Sequence, residues 1–325
     1  MIFTQFPNNY ASLYQPLIYA FEDQEPPRTL DIEIMDAPSG KILAAKRLYR
    51  TSSGEIDIAP ILQRMVQFHP TTNLTTGFEL AAKRSMTISL RIGADASVAR
   101  TFLASEQLLE PSVLHTTLPL ERLIARGEAD ELTLMSGIGI VEVTALTGSL
   151  VDHRGFLPPT NQPFPHVFRL CTTDFGKADT ITVALYTAVG GTLLAKIRYT
   201  LTDPMVEGVR IAWVSRVGSL EHYTFPLRHA LEEVQGRQIA ATTAGLMATT
   251  TTHEQRLTIC SAYEPQALLR ALVEIGSAQQ IWQATARGYT AVEIVPESHT
   301  ICCYGALKAL QFTLRPTTSN AVLWN

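Results

Sequence analysis

The stretch RIAWVSRVGSLEHYTF, Arg210 to Phe225, decides how the rest of the chain is read. Apolar residues alternate through its first half and the position before it, so a strand here places Val209, Ile211 and Trp213 on one face. Gly218 stands where a hairpin turn needs a positive φ, a conformation glycine reaches because it has no Cβ to clash. A second strand then carries Tyr223 and Phe225 on a shared face. Together the two strands predict an aromatic cross-strand cluster that fills the core of a β-domain.

The same period recurs on both sides of this hairpin. In TLDIEIMDAPSGKILAAKRLYR, Leu30, Ile32 and Ile34 alternate, Pro38-Ser39-Gly40 marks a turn, and Ile42 to Tyr49 reads as the returning strand. SMTISLRIGADA and ELTLMSGIGIVEVTAL alternate in the same way, and their Thr, Val and Ile residues suit a pleated surface. Three segments read as short helices. IDIAPILQRMVQF has Pro60 near its start, PLERLIARG is closed by Gly127, and EPQALLRALVEIG spaces Leu268, Leu272 and Ile275 helically before Gly276. The alternation of long strands and long helices that a parallel sheet requires is absent. The expected fold is therefore mainly β, with two or three β-sandwich (Ig-like) domains and a few short helices.

DHRGFLPPTNQPFPH, Asp152 to His166, carries four prolines and no period, which reads as a semi-rigid linker. The expected division is an N-terminal β-sandwich over 1–151 and a Pro-rich linker over 152–166. A second β domain with the aromatic hairpin follows over 167–226, then a C-terminal β domain with one helix over 227–325. LDIEIMDAPSGKILAAKRLYR and ITVALYTAVGGTLLAKIRYTL share strand, glycine turn, Lys, Arg and Tyr, which suggests two similar sandwiches.

Composition narrows the function classes. The chain has 325 residues, 46% hydrophobic and 17% charged, with a formal net charge of −4, so it should fold into more than one core and has no electrostatic case for nucleic acid. No run of eighteen apolar residues predicts a membrane span. The N-terminal segment has no Lys or Arg before Arg28 and lacks the basic region of a signal peptide. The four cysteines, Cys171, Cys260, Cys302 and Cys303, form no metal clip, and each is expected to be a buried reduced thiol.

No motif announces a chemistry. GxSxG, HExxH, a P-loop and a GxGxxG opening a helix are all missing. Asp152–His153, Glu221–His222 and His253–Glu254 are sequence neighbours, which a strand sends to opposite faces, so no catalytic or metal-ligating residue, cofactor or metal is expected. An enzyme assembled from distant residues stays open.

The hairpin resembles β-rich structural, tail-associated proteins of phages and prophages of Bacteroides-type bacteria. The likeness is carried by Trp213, Ser215 (where the pattern has Asn), Gly218, Glu221, Tyr223 and Phe225. It extends to GEIDIAPILQRMV and to the ending LTICSAYEPQALLRALVEIGSAQQIW…AVEIV…LQFTLRP. The resemblance implies a non-enzymatic virion protein, made in the host cytoplasm, whose partners are other virion proteins and copies of itself. Trp213, Gly218, Tyr223 and Phe225 form its structural motif. The apolar tail residues Val322, Leu323 and Trp324 are candidate assembly contacts, as is the edge of Thr- and Ala-rich strand sequence at Ala240 to Thr252. The alternative is a carbohydrate- or protein-binding β-sandwich module, with Trp282 or Tyr289 stacking on a ligand.

Overall fold

A computed structural model describes residues 1–71, 75–79, 84–106, 113–135, 137–160, 164–243, 245–285, 288–296, 298–305, 307–317 and 320–323. Strands take 59% of the chain and helices 7%, as the period-2 patterning predicts.

The first domain contains β1 (Ile2–Gln5), β2 (Ala11–Ser12), β3 (Ile18–Glu22), β4 (Arg28–Asp36), β5 (Lys41–Thr51), β6 (Ser53–Asp57) and α1 (Ala59–Leu62). After β7 (Gly77–Glu79) it resumes with β8 (Ser85–Ile92), β9 (Asp95–Ala96) and β10 (Arg100–Leu103). The sheets β1-β3-β6 and β2-β10-β8-β4-β5 enclose Tyr19, Phe21, Ile32, Ile34, Ile88, Leu90 and Phe102. Leu30, Ile32 and Ile34 all point inward, as alternation requires.

The second domain contains β11 (Leu114–His115), β12 (Glu121–Ala125), β13 (Ala129–Leu134), β14 (Ile140–Thr147), β15 (Leu150–Phe156), β16 (His166–Cys171), β17 (Thr180–Tyr186) and β18 (Leu193–Thr202). Its sheets are β11-β13-β16-β7 and β12-β18-β17-β14-β15. Leu132, Phe168 and Leu170 from the first meet Val141, Val143, Ile181, Val183 and Ile197 from the second, the packing of a sandwich. One strand of this sandwich, β7, comes from the middle of the first domain's sequence, pairing Phe78 with Phe168.

The third domain contains β19 (Val209–Val214), β20 (Leu220–Phe225), β21 (Leu227–Thr242), β22 (Gly245–Cys260), α2 (Gln266–Val273), β23 (Ile281–Thr285), β24 (Gly288–Ile294), β25 (Thr300–Tyr304), β26 (Leu307–Pro316) and β27 (Asn320–Leu323). One sheet runs β20-β19-β23-β24-β26-β22-β21, with β25 beside β26 and β27 beside β22. α2 covers it, burying Leu269, Ala271 and Leu272 with Trp213, Phe225, Ile259 and Phe312.

Several expectations are corrected. The stretch 152–166 is no linker between domains: its first residues lie in β15, paired with β14 from Val141↔Phe156 to Thr147↔Leu150. The chain passes here from β15 in one sheet of the second sandwich to β16 in the other, and strands before and after it line a single core. The three cores divide the chain instead near 105–113 and 203–208. Residues 167–202 therefore complete the second domain, while the aromatic hairpin belongs to the third. PLERLIARG forms β12, pairing in parallel with β18 from Glu121↔Arg198 to Ala125↔Thr202, because ladder bonds outweigh the weak propensity of so short a helix. Of the cysteines, Cys171 is buried and Cys260 half-buried, but Cys302 and Cys303 are exposed because β25 lies on the rim of the third sheet.

Candidate functional site

Trp213 is fully buried, and β19 pairs with β20 so that Val209 faces Phe225, Ile211 faces Tyr223 and Trp213 faces Glu221. Tyr223 and Phe225 stand edge-to-face at 4.9 Å, and Phe225 meets Phe312 at 5.9 Å. The predicted aromatic cluster is thus the centre of the third core.

The turn of this hairpin does more than reverse the chain. Gly218 has φ +75°, and a Cβ there would lie 2.4 Å from the Ala104 carbonyl oxygen. Around it, the Glu106 N–H donates to the Arg216 carbonyl at 2.7 Å, and a His115 ring nitrogen lies 3.3 Å from the Val217 carbonyl. The turn therefore packs where the first domain hands the chain to the second, which sequence period alone could not show.

Buried charges line the seams between domains. Asp130 of β13 accepts hydrogen bonds from Arg122 Nη1 and Tyr199 OH, each at 2.8 Å. His222 Nδ1 of β20 lies 3.3 Å from the other Asp130 oxygen, and its Nε2 is 3.0 Å from Tyr289 OH. Burial opposes the charge on Asp130, but Arg122, His222 and Arg210 hold its carboxyl well below the usual carboxylate range. Burial pushes His222 down despite Asp130, so the ring is neutral near pH 7. Glu221 is pushed up by burial, with Arg122 and the Ser219 hydroxyl (2.6 Å) opposing.

Two further ion pairs extend the seams. Arg210 of β19 donates to Glu128 at 2.7 Å. Arg84, from the first domain, grips both oxygens of Glu131 on β13, and both side chains are buried. β13 is thereby tied by an ion pair to the first domain and, through the contact of Asp130 with His222, to the third. The sequence neighbours Asp130–Glu131 and Glu221–His222 converge here because several strands bring them together, not through any local spacing.

A cavity of about 360 Å³ opens beside this cluster, between the second and third domains. Its walls are apolar (Leu118, Pro119, Leu123, Ile124, Ala267, Leu268), its floor is Asp130, Tyr199 and His222, and Tyr223 donates to Glu264 at 2.7 Å at one side. Among the described lining residues there is no Ser, Thr, Cys or Lys, and both tyrosine hydroxyls are pushed up in pKa by burial. Such a surface can hold a small molecule. Among the described residues no group of three or more His, Cys, Asp or Glu could hold a metal ion, and no helix is long and apolar enough to cross a membrane.

Trp282 is half-buried against the first domain's core and lines an open cleft of about 590 Å³ with Phe68, Gln280 and Glu293, while Tyr289 is half-buried beside His222. The predicted tail contact is met in part by the chain itself. β27 pairs with β22 from Thr250↔Leu323 to His253↔Asn320, which places the backbone of Val322 and Leu323 on the chain's own sheet. Trp324 lies outside the described residues.

β21 and β22 form a long, largely exposed hairpin. Each has 16 residues, about 50 Å of strand, and no residue of β21 is buried. Only the base of β22, Leu257 to Cys260, is held by β26. Beyond that base the hairpin projects as an arm, carrying exposed Leu231, Ile239, Leu246 and Met247. No charged residue occurs from Gln238 to Thr252.

No family model and no curated protein matches this chain.

Proposed function

We propose that the chain is a non-enzymatic structural component of a phage-like particle, in a tail-associated position, whose partners are other particle proteins and further copies of itself. The observation that carries this reading is the β21–β22 arm. A hairpin of two 16-residue strands, with no buried residue on β21 and an uncharged tip, adds to the core of its own domain only through the base of β22. An exposed strand edge of this length is a template for pairing with another chain, and proteins that need no such pairing shorten or cover it. The buried ion pairs complement the arm. They fix the three domains relative to one another, so a load on the arm is borne by one body. The hairpin motif at Trp213, Gly218, Tyr223 and Phe225 supports the same reading through its resemblance to virion proteins. Mass spectrometry of purified particles from the source bacterium tests it. The chain should appear at a fixed copy number relative to the other particle proteins, and its confinement to the unassembled soluble fraction would retire the proposal.

A second reading, a carbohydrate- or protein-binding module, is favoured by the 360 Å³ cavity and by the open cleft that Trp282 lines. A glycan array probed with the intact chain and with Tyr223→Ala separates the two: saturable binding lost in the variant supports the module.

A further inference from the structure

The free edge of β21 is self-complementary, and we infer that two copies of this chain pair through it, antiparallel, about a two-fold axis at Gln235. The inference rests on the reading of the arm as a contact surface. β21 is the terminal strand of its sheet, and its other edge is occupied by β22 from Leu227 to Thr242. Opposite residues of an antiparallel pair lie on the same face, so a two-fold perpendicular to the sheet must pass through one residue paired with its own copy. That condition leaves a short set of registers, and the side chains separate them.

Centred on Gln235, the register sets Glu233 opposite Arg237 and Leu231 opposite Ile239, each twice by symmetry. Leu231 is 59% exposed and Ile239 57%, and both lose water to a like partner. Within one chain Glu233 and Arg237 are four residues, about 13 Å, apart along the strand, so only a second copy places them side by side. Ala230 then meets Ala240, and Val234 meets Gly236, with no crowding. Shifting the axis one residue either way removes both matches. At Val234, Leu231 faces Arg237; at Gly236, Glu233 faces Ile239. At Glu233 or Arg237 the axis brings like charges into contact, which destabilises a strand pair. The strand is continuous through the window. The register shift near Gln238/Ile239 is taken up by an extra residue in β22, and the shift near Arg228/Ala230 lies at the window's end.

An isologous pair of this kind closes on itself. It makes a dimer and leaves the opposite edge of the arm, where β27 lies, outside the contact.

Cross-linking tests the register. In the intact chain carrying Cys260→Ala, Cys302→Ser and Cys303→Ser, Gln235→Cys should form an intermolecular disulfide under mild oxidation. Directly opposed strand residues have Cα atoms within the range a disulfide spans. Val234→Cys and Ala241→Cys, displaced from their own copies, should cross-link at least tenfold more slowly. Sedimentation supplies the second measurement. Arg237→Glu should raise the dimer dissociation constant about tenfold or more, and adding Glu233→Arg should restore it, since the swap returns an opposite-charge pair. Equal cross-linking at all three positions, or an unchanged dissociation constant in Arg237→Glu, overturns the register. A monomer at all concentrations, with no Gln235→Cys cross-link, overturns the dimer even if the chain is found in particles. A dimer with this register in a chain absent from particles upholds the inference and retires the particle reading alone.

Discussion

Asp130 and His222 lie 3.3 Å apart across the boundary between the second and third domains, one held ionised and the other held neutral by the same buried surroundings. The pair sets a direction for stability against pH. His222 has a folded pKa below its unfolded value of about 6.5, so its contribution is full above that value and is lost as pH falls through the folded one. The groups that face it are Asp130 and Glu131 on β13, Arg210 on β19 and Tyr289 on β24. Burial shifts His115 and His166 in the same sense. Glu221 is raised and works in the opposite sense, losing stability as pH rises through its folded value. Denaturant unfolding at pH 7.5 and 5.5 should show wild type losing more stability on acidification than His222→Gln, because the wild-type chain takes up an extra proton on unfolding.

Gly218→Ala should be far more costly than Gly40→Ala. Both residues have positive φ, +75° and +67°, so each variant bears a backbone strain of about 1–2 kcal/mol. At Gly40 nothing lies within 4 Å of the added methyl group, whereas at Gly218 it would meet the Ala104 carbonyl oxygen at 2.4 Å. Chemical denaturation of the two variants should separate them by at least about 1 kcal/mol, the lower range for overpacking. Equal losses would show that the turn does not press on the first domain.

Arg84→Ala should destabilise the protein by roughly 3–5 kcal/mol, because it strands the Glu131 carboxylate in a buried site. Replacing the exposed Arg47, which pairs with Asp31 at 2.6 Å in full solvent, should cost far less. Thermal unfolding of both variants checks the contrast.

Shortening the arm should leave the body intact. Gln235 and His253 are directly paired, so an Asn-Gly turn joining them replaces 236–252, keeps the β21–β22 pairs below that point and releases β27, which loses three of its four partners on β22. The midpoint of thermal unfolding should stay within a few degrees of wild type, since β21 contributes no buried residue. Self-association measured by light scattering should fall.

Period-2 alternation located strands such as β4, β8 and β19, because the rule that sends Leu30, Ile32 and Ile34 to one side is local. The hairpin at Trp213 and Gly218 and the helix at Leu272 were legible for the same reason, each being written in a few consecutive residues. The proline stretch misled because Pro and Gly mark any irregular crossing, whether it joins domains or, as here, two sheets of one sandwich. PLERLIARG misled because a segment of nine residues takes its state from its neighbours, and β18 offers a ladder. The charged seam was out of reach. Asp130, Arg122 and His222 come from three strands, and nothing in their spacing foretells the meeting. The arm was visible only as a Thr- and Ala-rich edge, since exposure depends on what the rest of the fold fails to cover.

β7 belongs by sequence to the first domain and by pairing to the second, where Val167, Phe168 and Arg169 face Glu79, Phe78 and Gly77. The second sandwich therefore cannot close its sheet from residues 113–202 alone, and the first must lend a strand before its own chain is finished. Unfolding of these two domains is then a shared event: neither can open without removing a strand from the other's neighbourhood. A ribosome releasing this chain would hold β7 in waiting for nearly ninety residues until β16 emerges, a delay with Phe78 uncovered.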